Sequence, residues 1–201
     1  MILSDSKILE EIANGNIVIS PFERSQLGSN SYDVRLGKWL RVYDESHMSY
    51  TLDSPYIEGE HRIPKIIPYI DAKKDNPTID IEIPEDGFIL MPNQLYLGAT
   101  VEHTETYKHL MFIDGKSSVG RLGIDIHATA GVADVGFIGT LTLEISVKIP
   151  VKIYPNMLIG QLTYHVVQGE VINPYNKKTD AKYSNQGSMP VGSQMFKNFK
   201  K

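Results

Sequence analysis

One short segment combines the residue types that bind phosphate groups. Residues 115–121 read Gly-Lys-Ser-Ser-Val-Gly-Arg and place a lysine, two serines and an arginine between glycines. Such a loop can direct backbone N–H groups and cations at an anion. It is not a Walker A sequence, because that motif needs glycine where this chain has Leu110. The segment predicts either a phosphate-binding loop or an ordinary β-turn in which glycine supplies a positive φ.

A second segment is typical of a β-strand that presents a single carboxylate. Residues 140–147 alternate strictly between polar and apolar side chains, and Glu144 is the one acidic residue on the polar face. A polar face directed at water is one interpretation. A polar face that lines a pocket is the other, and Glu144 is then a candidate general acid/base.

A glycine-rich stretch with one acidic residue lies between these two segments. Residues 127–139 hold Asp134 after a run of small side chains. An Asp in a tight loop commonly binds its own backbone. It can equally bind a sugar hydroxyl or orient a water molecule, so the residues alone leave its role open.

The composition excludes several classes of protein. The chain has 201 residues, 41% hydrophobic and 22% charged, with no cysteine and a formal net charge of −4. This length predicts a single domain over residues 1–201. Without cysteine there is no disulfide framework, zinc ribbon or thiol nucleophile. The mild acidity argues against nucleic-acid binding, and the lack of a long apolar run or secretory N-terminus predicts a cytoplasmic protein without a membrane segment.

Many short strands would have to position these groups. Ser4, Ile8 and Gly15 predict a short capped N-terminal helix. Strand-like runs then recur at residues 17–19, 32–36, 39–43, 79–83, 95–101, 110–113, 139–147, 151–153 and 158–167. This pattern predicts a mainly β fold, an antiparallel barrel or sandwich.

Two segments depart from the strand pattern. Residues 44–76, punctuated by Pro55, Pro64 and Pro68, are predicted to be an inserted loop. Residues 171–201 are predicted to be a basic C-terminal arm, either able to bind a small anion or simply solvated. The charged residues of this arm are Lys177, Lys178, Lys182, Lys197, Lys200 and Lys201 against Asp180 alone.

Taken in order, these segments resemble the motifs of the dCTP deaminases, trimeric relatives of dUTPase. The resemblance is carried by residues 115–123, 127–131, Asp134, 136–137 and 142–144, with further matches at 31–37, 159–162, 174–176, 181–183 and Gln186. It covers nearly the whole chain outside residues 44–76. It implies a dUTPase-like fold, a distorted and jelly-roll-like antiparallel β-barrel with a short N-terminal helix and an inserted loop.

The resemblance also implies roles for individual residues. Glu144 would deprotonate the water that attacks C4 of cytosine, then protonate the ring and the departing ammonia, while Ser117 and Arg121 would hold that water and the carboxylate. Asp134 would bind the deoxyribose 3′-hydroxyl. Further nucleotide contacts, most of them to the phosphates, would come from Lys116, Ser118, Thr142, Tyr175, Lys182 and Gln186. Many family members have arginine in place of Lys116, so a bidentate fork becomes a point charge here.

No resident metal is expected. Mg²⁺ would accompany the triphosphate through water, since hard cations meet phosphate with few protein ligands. Zinc nucleobase deaminases need a Pro-Cys-x-x-Cys element, which a chain without cysteine cannot supply. The histidines, among them His103, His109 and His127, lack metal-ligand spacing and are interpreted as structural.

The resemblance leaves the product open. The main prediction is hydrolysis of dCTP to dUTP and ammonia. The alternative is the bifunctional branch, which takes dCTP to dUMP and pyrophosphate, because Lys116 and residues 129–131 resemble it; Ala133 departs from its usual Ile or Leu. A dUTPase without deaminase activity and a non-catalytic nucleotide-binding regulator are further alternatives, which the acid/base set disfavours. A homotrimer with sites between subunits, and dTTP as a candidate inhibitor, are also implied.

Overall fold

The chain begins with the short amphipathic helix that the sequence predicts, α1 (Asp5–Ala13). The Ser4 hydroxyl accepts a hydrogen bond from the Lys7 backbone N–H at 3.4 Å and so caps the first turn. Gly15, with φ +70°, follows the C-cap residue Asn14 and turns the chain away, a conformation that glycine adopts without strain. Ile8 is fully buried, which fixes the apolar face of the helix on the core.

Short strands make up most of the remaining structure. The computed structural model describes residues 1–53 and 65–199, so Pro55, Pro64, Lys200 and Lys201 lie outside the described residues. The strands in chain order are β1 (Ile17–Ser20), β2 (Tyr32–Tyr43), β3 (Ser49–Asp53), β4 (Lys65–Tyr69), β5 (Thr78–Glu82), β6 (Phe88–Leu90), β7 (Tyr96–Thr100), β8 (His103–Thr106), β9 (His109–Gly115), β10 (Ile124–Asp125), β11 (Val132–Ala133), β12 (Phe137–Gly139), β13 (Thr142–Val147), β14 (Val151–Ile153) and β15 (Leu158–Val166). A one-turn helix, α2 (Ser117–Gly120), follows β9. Short 3₁₀ turns occur at Arg24–Gln26, Glu45–His47, Tyr175–Lys177 and Met195–Phe199.

The first of two compact units, Met1–Arg41 with Asp80–Val191, carries every predicted site residue. Its main sheet has the order β10-β13-β7-β2-β15-β9-β11, with β5 pairing β2 beside this path, and neighbouring strands are antiparallel. A second sheet has the order β1-β8-β12, and β14 pairs with β6. The fully buried core side chains include Tyr32, Leu36, Leu143, Ile145 and Tyr164. The prediction of a mainly β antiparallel fold is confirmed.

The second unit, Val42–Ile79 with Gly192–Lys201, contains strands that the sequence pattern did not predict. Within the predicted inserted loop, β3 and β4 pair antiparallel, with Ser49 opposite Tyr69 and Tyr50 opposite Pro68. The apolar side chains of Tyr50, Ile66 and Tyr69 are all exposed. These two strands therefore lack the alternation of buried apolar and exposed polar residues that marks a half-buried strand. The prediction of a single domain over residues 1–201 remains a prediction.

None of the helices among residues 1–53 and 65–199 is long and apolar enough to cross a membrane.

The buried carboxylate of Glu11 joins α1 to the body of the first unit. Lys7 Nζ lies 3.0 Å from one of its oxygens, Asn16 Nδ2 donates to the other at 2.6 Å, and His109 Nε2 lies 3.2 Å from that same oxygen. The Lys7 ammonium, followed by the His109 ring and the Asn16 amide, lowers the pKa of Glu11 to about 2 against the opposing effect of burial. The ionised form of the Glu11 carboxylate is therefore more stable in the folded state than in the unfolded chain, and its ionisation favours folding.

We expect Glu11→Gln to lower the free energy of unfolding at pH 7 by about 2 kcal/mol. Because the folded pKa is depressed, this stabilisation is fully present above the unfolded pKa of about 4.3 and is lost as the pH falls toward 2. Urea unfolding at a series of pH values checks the difference. The control is Glu10→Gln, since Glu10 also pairs with Lys7 but is exposed and should change stability by under about 0.5 kcal/mol. An equal effect of both substitutions would contradict the linkage.

Candidate functional site

Glu144 lies on the polar face of β13, and the strand has the alternation that the sequence predicts. Leu143, Ile145 and Val147 are buried, whereas Glu144 is half-buried, with its side chain 36% exposed. Its backbone N–H donates to the Ile126 carbonyl at 2.9 Å. One carboxylate oxygen accepts the Ala128 N–H at 3.0 Å. The carboxylate is therefore held in place by neighbouring backbone and still reaches solvent, as a group that exchanges protons with a bound molecule must.

His127 is a titratable side chain that lies beside Glu144. Its Nδ1 lies 3.9 Å from the carboxylate, and its ring is mostly buried. Burial lowers the pKa of His127 below its ordinary value, and the nearby charges of Glu144 and Asp114 oppose this only in part. The His127 Nε2 atom is buried and has no hydrogen-bond partner among the described residues. The sequence interpretation of this histidine as merely structural did not foresee its place beside the carboxylate.

A cavity of about 510 Å³ is lined in part by residues of the 126–131 loop. Its wall combines the predicted phosphate-binding segment with the glycine-rich stretch. Its lining includes Lys116, Ser117, Gly120, His127 and Gly131. Glu144 does not line this cavity within the described chain, so the loop that contains His127 and Ala128 connects the carboxylate to the cavity wall.

Gly131 makes the close contact that sets the position of this loop. Its carbonyl accepts the Ile113 N–H at 2.7 Å, which joins the loop to β9. A Cβ atom at this position would overlap the Ile113 carbonyl oxygen and lie 2.9 Å from the His127 ring. Only glycine permits this approach, and the requirement is steric, not conformational.

The predicted phosphate-binding segment forms a helical turn. Ser117 and Ser118 are exposed in α2, and Lys116 precedes it as the N-cap residue. The Lys116 ammonium forms an ion pair and hydrogen bond with Asp33 of β2, and both side chains are mostly buried. Asp33 belongs to the 31–37 segment that resembles the family. Its place in an alternating strand does not predict that it pairs with Lys116.

Arg121 does not lie beside Glu144 in the single chain. It is the exposed C-cap residue of α2, and its backbone N–H donates to the Ser117 carbonyl at 3.1 Å. Across residues 1–53 and 65–199, no ion pair joins Arg121 to Glu144, and the basic side chain that approaches the carboxylate is His127, at 3.9 Å. The chain by itself therefore does not bring the predicted catalytic residues Ser117 and Arg121 into contact with Glu144.

The C-terminal arm is attached to the glycine-rich stretch by backbone hydrogen bonds. The Tyr175 N–H donates to the Val135 carbonyl at 2.7 Å, and the Asn185 N–H donates to the Ile138 carbonyl at 2.7 Å. The Thr140 N–H donates to the Gln186 carbonyl at 3.1 Å. This part of the arm is therefore packed on the first unit. The alternative that composition allowed, a solvated terminus, does not describe it.

The arm brings Gln186, one of its predicted binding residues, to the polar face of β13. The Thr142 hydroxyl donates to Gln186 Oε1 at 2.6 Å, and the Val191 N–H donates to the Thr142 oxygen at 3.1 Å. Tyr175 and Lys182 are half-buried in the same arm. Asp134 is half-exposed at the turn after β11 and pairs with Lys178 of the arm at 3.1 Å. The structure thus joins Thr142, two residues before Glu144 on β13, with Gln186, and it joins Asp134 with Lys178 of the arm.

One compact unit thus carries an antiparallel β fold, a strand carboxylate held by backbone, a lysine and serine turn and a polar C-terminal arm. A family model described as dCTP deaminase-like matches residues 2–167. The chain belongs to the dCTP deaminase-like family, and the prediction of the family and of a hydrolytic enzyme is confirmed.

Individual relatives match over the whole chain. A protein of Hathewaya histolytica named "dCTP deaminase, dUMP-forming" is 42% identical over 200 residues, 99% of each chain. One of Clostridium beijerinckii with the same name is 41% identical over 202 residues, all of both chains. The solved 2′-deoxycytidine 5′-triphosphate deaminase of Agrobacterium tumefaciens superposes with a TM-score of 0.57 at 20% identity, over 86% of this chain and 50% of that one, and so supports the fold.

Proposed function

We propose that this protein hydrolyses dCTP to dUMP, releasing ammonia and pyrophosphate. The observation that carries the proposal is the whole-length similarity, at 42% and 41% identity, to two relatives named as dUMP-forming dCTP deaminases. The packing of Gly131 supports it, since the sequence resemblance to the bifunctional branch includes this glycine and the structure leaves no room for a side chain there. In this proposal dUTP is the intermediate, and its release as the final product is the competing prediction.

Glu144 would carry the deamination. Its carboxylate takes a proton from a water molecule, whose oxygen adds to C4 of the cytosine ring while N3 accepts a proton. The C4–N bond then breaks, the amino group leaves as ammonia with a proton relayed by Glu144, and a C4 carbonyl remains. The Ala128 N–H supports this role because it holds one carboxylate oxygen in place. The other oxygen would then face the ring.

The remaining catalytic groups would come from a neighbouring subunit. Within the described chain Arg121 is exposed and does not pair with Glu144, and the adjacent Leu122 is 50% exposed. We propose that a homotrimer places Ser117 and Arg121 of one subunit against Glu144 of the next. There the guanidinium would favour the ionised carboxylate and the hydroxyl would hold the water.

The nucleotide would be held at both its ends. Asp134 would accept the 3′-hydroxyl, and Thr142 with Gln186 forms the polar wall beside Glu144. The triphosphate would contact Lys116, Ser118, Tyr175, Lys182 and Gln186. Mg²⁺ would enter as part of the substrate, on phosphate oxygens through water, as hard cations do. The described residues contain no group of three His, Asp or Glu side chains that could hold a metal ion.

The second hydrolysis would cleave the phosphate chain of the bound dUTP. A water molecule adds to the α-phosphorus, and the bond to the bridging oxygen breaks to release pyrophosphate and leave dUMP. The 131–134 segment, which resembles the water-orienting loop of dUTPases, would direct this water. Inhibition by dTTP, a cytoplasmic location and the absence of nucleic-acid partners stay predictions.

The test is to incubate the full chain with dCTP and Mg²⁺ and to measure ammonia and pyrophosphate separately. Equal amounts of both products, with dUMP, are expected. Ammonia without pyrophosphate would make the protein a deaminase that releases dUTP, and pyrophosphate from added dUTP only would make it a dUTPase. If neither ammonia nor pyrophosphate were released, the proposal would be overturned.

Arg121→Ala should slow ammonia release, because it removes a preorganised charge next to the reacting carboxylate. The expected loss of transition-state stabilisation is about 2 to 3 kcal/mol. Steady-state kcat with dCTP measures the loss. Arg24, a surface arginine in the 3₁₀ turn Arg24–Gln26, is the matched control, and Arg24→Ala should leave kcat within about twofold. Normal turnover of Arg121→Ala would show that the arginine does not reach the site.

A further inference from the structure

Lys178 is a basic residue of the arm to which neither the motifs nor the proposed mechanism gives a role. Its ammonium lies 3.1 Å from Asp134 Oδ2 and 5.5 Å from the centre of the Tyr175 ring. Asp134 and Tyr175 are the two residues proposed to bind opposite ends of the nucleotide. Lys178 therefore contacts one residue from the sugar end and one from the phosphate end.

The position of Lys178 is determined by the backbone around it. The Lys178 N–H donates to the Tyr175 carbonyl at 3.2 Å and closes the 3₁₀ turn Tyr175–Lys177. Tyr175 is attached to Val135 by its own N–H, and its ring lies 6.2 Å from that of Phe137. The turn thus fixes the Lys178 backbone at a place from which its ammonium reaches Asp134.

Gly136 allows the arm to approach this closely. A Cβ atom at Gly136 would lie 2.7 Å from Asn176 Oδ1 and 2.8 Å from the Tyr175 nitrogen, and its φ of +91° also favours glycine. The turn after Asp134 and the turn before Lys178 are consequently packed backbone to backbone. The ion pair between them can hold the carboxylate in one orientation.

The pair leaves part of Asp134 available to a ligand. Lys178 binds Oδ2, whereas Oδ1 has no hydrogen-bond partner in the part of the chain that the structure describes, and the Asp134 side chain is 50% exposed. A carboxylate fixed through one oxygen presents the other in a defined direction, which reduces the entropy that a ligand must overcome on binding. Lys178 is itself 32% exposed, so the pair is shielded from water only in part.

We propose that Lys178 is a positioning residue for the sugar end of the nucleotide. It orients the Asp134 carboxylate toward the 3′-hydroxyl and, through Tyr175, makes this orientation depend on the arm being in place. The inference rests on the proposed nucleotide-binding function and adds a residue to it. It predicts that the preference for a 3′-hydroxyl is a property of the pair and not of Asp134 alone.

The test measures binding of dUTP and of 2′,3′-dideoxy-UTP by calorimetry, both as α,β-imido analogues that cannot release pyrophosphate, so that the readout does not depend on turnover. In the unaltered chain the 3′-hydroxyl should strengthen binding about tenfold, the size of one hydrogen bond to a charged group. In Lys178→Met dUTP should bind about five- to tenfold more weakly, the dideoxy nucleotide should be nearly unaffected, and the preference should disappear. Lys178→Arg should restore most of it, since the guanidinium can reach the same oxygen.

Lys177→Met is the matched control. Lys177 is the exposed neighbour in the same turn, and its side chain forms no ion pair with any residue that the structure describes. It should leave both affinities within about twofold of the unaltered chain. A uniform loss of affinity for both nucleotides in Lys178→Met, an unchanged preference, or tighter binding of dUTP would each overturn the positioning role. Failure of the unaltered chain to release ammonia from dCTP, with the binding pattern intact, would instead overturn only the proposed reaction.

Discussion

Glu144→Gln is expected to release ammonia from dCTP about 1,000-fold more slowly than the unaltered chain, while nucleotide binding persists. The substitution keeps the size and shape of the side chain. The amide oxygen can still accept the Ala128 N–H, which now lies 3.0 Å from the carboxylate, so the strand and the loop should keep their positions. An amide does not take a proton from water near neutral pH, and the relay of protons to N3 and to the departing amine is lost.

Ammonia release in a single turnover measures the chemical step. Calorimetric titration with α,β-imido-dUTP, which cannot release pyrophosphate, measures binding. Glu82→Gln is the control, because Glu82 is also a strand carboxylate but is exposed and pairs with Lys38 at 2.9 Å. It should react at the normal rate. If Glu144→Gln retained a rate within about tenfold of the unaltered chain, Glu144 would not be the proton carrier.

Gly131→Ala should have the second-largest effect, and it acts through the position of a loop. The added methyl group overlaps the Ile113 carbonyl oxygen, which belongs to β9 and cannot move without breaking sheet hydrogen bonds. The loop must move instead, carrying with it His127 and the Ala128 N–H that holds Glu144. We expect a loss of about 3 kcal/mol in the free energy of unfolding and a loss of both ammonia and pyrophosphate release of at least about 100-fold.

Gly120→Ala separates this contact from a general effect of replacing glycine at the cavity. Gly120 lines the same cavity, yet a Cβ atom there meets nothing within 4 Å. Gly120→Ala should keep stability within about 0.5 kcal/mol and activity within about threefold. Denaturant unfolding and product release are measured on both variants. Equal behaviour of the two would mean that the contact between Gly131 and β9 does not control the site.

Strong local patterns predicted the parts of the fold that they describe. The alternation in residues 140–147 predicted both β13 and the polar face that carries Glu144, and the capping signal at Ser4 predicted α1. The pair β3 and β4 was not predicted, because its exposed side chains follow no burial pattern. The turn of α2 was also missed, since four residues are too few to show a helical period.

The binding residues were identified by motif, but their partners were not. Nothing in the spacing of Lys116 and Asp33 indicates that β2 and the end of β9 meet at an ion pair. Likewise, Lys178 was one of several lysines in a basic arm until the backbone hydrogen bonds of Tyr175 brought it to Asp134. Such pairs join residues far apart in the chain, and local periodicity carries no information about them.

The amino-acid sequence by itself determined the chemical inventory of this protein: a glutamate on the polar face of an alternating strand, a serine and lysine turn, and no cysteine for metal-based deamination. Side-chain chemistry and strand alternation are local properties, so they can be derived from residue types and spacing. The tertiary structure decided which groups meet, including the support of Glu144 by Ala128, the close packing of Gly131 and the separation of Arg121 from Glu144 within one chain. These depend on how strands pair and where the arm returns, which is set by packing across the whole fold.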